Sequence, residues 1–198
     1  MLVGYFDESS TLEDPEKAFV LAGYLATPET WLEFEVRWKR VLDEHGSPSF
    51  HATDLFAKRN GFEAFDNART KALMIALVDV AVNLDLYAVA TGISWTDYTN
   101  WLNAHPLIKE SELGSHPYFP CFHLLMARIY TGVASQPPDV RVALVLEQQS
   151  EFQGAAMRIF QEIIEGPLPH KDQSRIAEIR RQRDDPPATG RPLGLGDG

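Results

Sequence analysis

Two adjacent carboxylates, Asp7 and Glu8, follow a short apolar run near the start of the chain, in the segment YFDESS. A second apolar run, VALVL, is followed by the carboxylate of Glu147. Catalytic groups of α/β sheets collect where the strands end. If the two strands are parallel neighbours, Asp7 and Glu147 lie within reach of one divalent cation. Acids at strand ends are also common turn formers, so the pattern leaves a purely structural role open.

The chemistry that such a pair of carboxylates supports is metal-assisted phosphodiester hydrolysis. Carboxylate oxygens are the ligands that Mg²⁺ or Mn²⁺ prefers, and the cation activates a water and stabilises the developing charge. Successive side chains of a regular strand point to opposite faces of the sheet, so Asp7 and Glu8 can share one ion only across a bulge or turn. We therefore predict Asp7 as the metal ligand and place Glu8 second.

The composition limits the functional classes. The chain has 198 residues, of which 44% are hydrophobic, and a single cysteine, Cys121, which cannot form an internal disulfide. It contains no apolar run of about 18 residues and no signal-peptide pattern, so we expect a cytoplasmic protein without a membrane partner. A formal net charge of −10 argues against a protein that coats nucleic acid non-specifically. A metal-dependent nuclease stays compatible with that charge, because the cation offsets its own ligands.

Hydrophobic periodicity predicts an α/β fold in which a sheet of mixed direction is covered by helices. The first two strands are separated by turn-forming residues and should form an antiparallel hairpin. Residues 95–116 show no clear pattern, and a solvated loop is their default interpretation. The predicted strands cover residues 2–6, 18–26, 84–95, 140–147 and 174–180, and the predicted helices cover residues 27–46, 67–83, 118–134 and 152–166.

Four segments, taken in their order along the chain, resemble the DUF3800 family of bacterial and phage proteins. They are YFDESS, FVLAGYLATPETWLEFEVRWKRVL, FHATDLFAKRNGFEAF and VALVLEQQSEF. The resemblance implies one ribonuclease H-like domain over residues 1–180, with a metal-dependent nuclease site in a mixed sheet flanked by helices. By position, it implies Asp7 as the acid of the first strand, with Glu8 beside it, and Glu147 as the acid of the later strand.

The FHATD segment, which contains His51 and Asp54, also matches a recurring part of that family. His51 is a candidate general base, and a packed, hydrogen-bonded histidine beside Phe50 is an equally good interpretation. Asp54 is a candidate metal ligand, although a cap of the following turn is slightly favoured. Lys58 and Arg59 could contact phosphate, but an exposed charged turn is the commoner explanation.

The chain departs from the family after residue 180. The family leads us to expect a final helix of the type LQxADLLAW, which would supply a last acidic ligand. Residues 181–198 instead read RQRDDPPATGRPLGLGDG, a composition that predicts disorder. Residues 187–198 can be encoded by a permitted set of codons that also has a second reading. When these bases are read one nucleotide out of frame, beginning with the last bases of the Pro186 codon, they encode PLQQADLLAWAM. We therefore predict a frameshift near residues 180–183.

Two functions follow from the sequence. The first is a nuclease acting on DNA or RNA with Mg²⁺ or Mn²⁺, in which Asp7, Glu147 and Asp54 are the candidate ligands and His51 or Glu8 assists proton transfer. Its activity in this form of the chain is in doubt if the final helix is missing. The second is a non-catalytic interaction module of a defence or mobile-element system.

Overall fold

The computed structural model describes residues 1–9, 18–47, 49–134, 136–137, 139–146, 154, 158–161 and 176–181. Within these residues, five strands form one sheet in the order β3-β2-β1-β4-β5. β2 is antiparallel to β1 and β3, whereas β4 is parallel to both β1 and β5. The strands are β1 (Leu2–Ser9), β2 (Ala18–Ala26), β3 (Tyr87–Ser94), β4 (Val142–Leu146) and β5 (Ile176–Arg181).

Local signals in the sequence explain where the long helices begin and end. The Thr27 hydroxyl accepts the Thr30 backbone N–H at the start of α1, and Pro28 occupies the first helical position. Gly46, with a φ of 65°, follows the end of α1 in the left-handed conformation that glycine tolerates. The helices are α1 (Pro28–Glu44), α2 (Ala52–Ala57), α3 (Asn67–Val82), α4 (Trp95–Ala104), α5 (Pro106–Lys109) and α6 (Tyr118–Ala134).

One face of the sheet packs against α6 and forms the larger hydrophobic core. Alternate residues of the central strands face this helix, as the two-residue period of a strand requires. Phe6 of β1, Leu21 of β2 and Leu144 of β4 are buried there together with Phe122 and Ile129 of α6. Burial of this apolar surface holds α6 on the sheet.

A second core lies among α1, α2 and α3. Its buried members include Leu42 of α1, Leu55 of α2, and Leu73 and Leu77 of α3. A row of aromatic contacts connects this helical layer to the sheet: Tyr5 to Trp31 (ring centroids 4.8 Å apart), Trp31 to Phe34 (5.5 Å), Phe34 to Trp38 (5.0 Å) and Trp38 to Phe50 (5.6 Å). The aromatic stripe of α1 is thus a packing element that joins two layers.

The predicted α/β class is confirmed, and the mixed five-stranded sheet flanked by helices has a ribonuclease H-like arrangement. The antiparallel hairpin of β1 and β2 is also confirmed. None of the helices in the described part of the chain combines the length and the apolar character that a membrane span requires.

The default expectation of a loop at residues 95–116 is wrong, because α4, α5 and a 3₁₀ turn at Glu112–Gly114 occupy most of this segment. Ser94 caps α4 by accepting the Asp97 backbone N–H at 3.0 Å. Tyr98 is the one buried residue of α4, and its hydroxyl donates to the Gly114 carbonyl at 2.9 Å. α4 is only ten residues long and α5 only four, and such short segments contain too few turns for their pattern to indicate a helix.

Candidate functional site

The candidate site lies where β1 ends beside β4. The two strands are parallel neighbours, and their register pairs Phe6 with Leu146. Asp7 and Glu147 could share an ion only if their strands were adjacent and parallel. β1 and β4 meet this condition. Leu146 is the last described residue of β4, so Glu147 itself lies outside the described residues.

Asp7 and Glu8 lie on opposite faces of the sheet. The registers of β1 with β2 and with β4 run without interruption, so no bulge changes the alternation. Glu8 shares its face with Phe6 and the α6 core, and Asp7 shares its face with Tyr5 and α1. The parity prediction is confirmed, and the two carboxylates have different environments: Asp7 is exposed, whereas Glu8 is half-buried.

Burial is the main cause of the unusual electrostatics of Glu8. Desolvation raises the pKa of its carboxyl, and the negative charge of the neighbouring Asp7 raises it further. The Glu8 Oε1 atom is buried and has no hydrogen-bond partner among the described residues. On the same side of the sheet, burial raises the pKa of the Tyr118 hydroxyl, and the negative charge of Glu8 adds to that shift. Glu8 thus carries a carboxyl oxygen whose hydrogen-bonding capacity is unused.

Trp31 fixes the strand that carries both carboxylates. Its indole Nε1–H donates to the Val3 carbonyl at 2.8 Å, and its ring meets Tyr5 edge-on. These contacts attach α1 to β1 on the face that Asp7 shares. Neither Trp31 nor Tyr118 was a candidate site residue from the sequence, because their proximity to β1 arises from tertiary packing and leaves no local signal.

His51 and Asp54 belong to the helical layer. His51 precedes α2, is exposed and forms no capping hydrogen bond, so the packed interpretation of this histidine is not what the structure shows. Asp54 accepts hydrogen bonds from Asn60 Nδ2 (3.1 Å) and Arg59 Nε (2.5 Å), and these two bonds, that from Asn60 first, hold the pKa of its carboxyl below the ordinary value. Asp54 therefore stabilises the turn after α2, where Lys58 and Asn60 have positive φ.

Basic side chains near this turn and on α1 have intramolecular partners. Lys58 Nζ donates to Thr70 Oγ1 at 2.6 Å, and Arg59 pairs with Asp54. Along α1, three cation–carboxylate pairs have i,i+4 spacing: Glu33 with Arg37, Lys39 with Asp43, and Arg40 with Glu44. The carboxylates offset the charge of Arg59 and of the three α1 cations, whereas the partner of Lys58 is a neutral hydroxyl and leaves its charge uncompensated.

The cysteine has no features of a nucleophile. Cys121 is buried in α6, and burial raises the pKa of its thiol to about 11. A thiol that stays protonated at neutral pH is a core side chain. Its neighbour Thr91 donates its hydroxyl to the Cys121 carbonyl at 3.0 Å, which ties β3 to α6.

Within the described part of the chain, no three His, Cys, Asp or Glu side chains cluster closely enough to hold a metal ion. A search with models of protein families gives no match to this chain, and a search of curated proteins gives no significant match either. The assignment of a function therefore depends on the residues at the end of β1 and on the fold that presents them.

Proposed function

We propose that this protein is a divalent-metal-dependent phosphodiester hydrolase that acts on DNA or RNA, as its resemblance to the DUF3800 family implies. The observation that carries the proposal is the parallel pairing of β1 with β4, because it aligns the residues that precede Asp7 and Glu147. Continued by one residue, this register would make Glu147 the partner of Asp7. The ribonuclease H-like strand order supports the same proposal.

The residues at the end of β1 fit a hard divalent cation. Asp7 is an exposed carboxylate without an ion pair among the described residues, so it has free oxygens to offer. Asp7 and Glu147 would hold Mg²⁺ or Mn²⁺, whose bound form supplies charge stabilisation and a water of lowered pKa. Asp54, the third candidate ligand, has a different role in this structure, because Arg59 and Asn60 use its two oxygens.

Glu8 has a separate part in the proposal. Because its side chain lies on the opposite face from Asp7, the same ion does not bind both carboxylates. Its raised pKa lets the carboxyl keep a proton at a higher pH than an exposed carboxyl does. An ion held at Asp7 lies on the other face of the sheet, so Glu8 would have to carry a proton to it around the end of β1. Exposed His51, which precedes α2 in the helical layer, is the other candidate for proton transfer.

The test is nuclease activity measured with single- and double-stranded DNA and RNA in the presence of Mn²⁺, Mg²⁺ or EDTA. Two chains should be compared: the present one, and one that ends in PLQQADLLAWAM in place of residues 187–198. We expect metal-dependent cleavage by the second chain and its loss in Asp7→Asn. Asp85→Asn, a change at an exposed aspartate outside the site, is the matched control. Cleavage that survives EDTA or Asp7→Asn would refute the proposal.

A second candidate function is a non-catalytic interaction module of a defence or mobile-element system. The specific observation in its favour is a groove along the edge of the sheet at β3, where no further strand pairs with β3 among the described residues and where Tyr87 and Leu124 are each more than half exposed. This candidate predicts that Asp7→Asn and Glu147→Gln leave partner binding unchanged and that no specific divalent-metal site is found by calorimetry.

A further inference from the structure

The edge of the sheet formed by β3 can accept another strand. β3 pairs with β2 on one side, and no other described residue forms a backbone hydrogen bond to it. About every second residue of an antiparallel strand directs its N–H and C=O away from its partner. Edge strands are commonly protected by lysine, proline or a bulge. The β3 sequence YAVATGIS has neither residue, and its pairing with β2 is uninterrupted.

A groove of about 410 Å³ runs between β3 and α6, within the roughly 300–1,000 Å³ of ligand pockets. Tyr87 and Leu124, which line it, are 53% and 55% exposed. Ala127 and Thr131 continue the α6 wall, and Ala88 contributes to the β3 wall. A strand paired with β3 would place alternate side chains against this helix wall, which is how extended peptides bind between an edge strand and a helix.

The groove carries one charge. Arg128 is the single charged residue among the described residues that line it. The side chain is exposed and forms no ion pair within the described part of the chain. An unpaired cation in a chain whose net charge is −10 selects for a carboxylate in whatever occupies the groove.

We propose that the groove between β3 and α6 binds an extended segment of a partner protein, which pairs with β3 as an added strand and places a carboxylate against Arg128. A second copy of this chain is the less suitable occupant. Two chains with a net charge of −10 repel each other, and the residues of β3 include no carboxylate that could meet Arg128. This inference is independent of the carboxylates at the end of β1.

The test uses an array of seven-residue peptides in which Val, Ile, Thr and Phe vary around a central Glu, Gln or Lys. We expect the strongest peptides to contain Glu, and to bind about tenfold more tightly than the same peptides with Lys, because Arg128 attracts the carboxylate of Glu and repels the ammonium group of Lys. Arg128→Glu should reverse this order. Arg40→Glu, an exposed charge reversal on α1, is the matched control and should leave it unchanged.

A second measurement tests the strand pairing itself. The best Glu peptide is N-methylated at alternate amides, in two versions that block one or the other edge of the extended peptide. We expect one version to lose binding at least about tenfold and the other to retain it, since β3 uses one edge only. Leu124→Asp should weaken binding of every peptide, and circular dichroism checks that each variant is folded.

The inference is overturned if no peptide distinguishes Glu from Lys, or if both N-methylated versions bind equally well. It is also overturned if sedimentation shows a concentration-dependent dimer that Arg128→Glu dissociates, because a second copy would then occupy the groove.

Discussion

Gly23→Ala is predicted to disrupt the strand that carries the candidate site. Gly23 of β2 lies opposite Phe6, the residue before Asp7. A methyl group at Gly23 would overlap the Tyr5 carbonyl oxygen and would lie 2.8 Å from Phe6 Cα and 2.6 Å from Phe6 Cδ1. Ordinary carbon–carbon contacts are about 3.5–4.0 Å, so β1 and β2 must separate locally by about 1 Å.

The loss of stability caused by this separation can be estimated from the hydrogen bonds between β1 and β2. A shift of about 1 Å breaks the adjacent N–H···O bonds, which contribute about 1 kcal/mol each, and overpacking of a core side chain adds about 1–3 kcal/mol. We expect Gly23→Ala to lower the free energy of unfolding by about 3–5 kcal/mol, a large part of the ~5–15 kcal/mol typical of a domain. Urea unfolding followed by tryptophan fluorescence measures this change.

Gly132→Ala is the matched control, because it makes the same chemical change in α6. Its methyl group would lie 2.8 Å from the hydroxyl oxygen and 3.0 Å from Cζ of Tyr87, at the far end of a half-exposed side chain that can move aside. Alanine is also the better helix former, by about 1 kcal/mol. We expect a change below about 1 kcal/mol for this variant. Equal effects of the two substitutions, or a change below about 1 kcal/mol for Gly23→Ala, would refute the reasoning.

Three further predictions concern side chains around the site. Trp31→Phe keeps a ring against the sheet but loses the hydrogen bond to the Val3 carbonyl, and should lower the free energy of unfolding by about 1 kcal/mol in urea titrations. Glu8 has a raised pKa, so its stabilising contribution is complete below about pH 4.5 and is lost as the pH rises through its folded-state pKa. Glu8→Gln should therefore melt at a higher temperature than the wild type at pH 7 and should match it near pH 4; a lower melting temperature at pH 7 would contradict this. Asp54 has a lowered pKa, so its contribution is present at neutral pH and is lost as the pH falls through that value. Asp54→Asn should melt below the wild type at pH 7, with a difference that shrinks on acidification; no difference at pH 7 would show that the bonds to Arg59 are not stabilising.

Much of the fold could be predicted because its signals are local. Thr27 and Pro28 start α1, Gly46 follows its end, and the apolar run of β2 has the predicted bounds, Ala18–Ala26. The structure of residues 95–116 could not be predicted. Its helices are short and bury few side chains, and the hydrogen bond from Tyr98 to Gly114 that stabilises them joins residues with no shared periodicity.

The candidate site could likewise be predicted only in part. The alternation of side chains along a strand was enough to predict that Asp7 and Glu8 lie on opposite faces of the sheet. The uninterrupted register of β1 confirms this prediction. The burial of the Glu8 carboxyl and its proximity to Tyr118 depend on how α6 crosses the sheet. That crossing is fixed by packing between residues more than a hundred positions apart, for which the sequence carries no pattern.

Calorimetric titration with Mn²⁺ tests the central claim, that Asp7 and Glu147 form a divalent-metal site, most directly. The account predicts one specific site in the wild type that is lost in Asp7→Asn and in Glu147→Gln and retained in the Asp85→Asn control. A wild type that binds no Mn²⁺, or an Asp7→Asn variant that binds it unchanged, would contradict the claim.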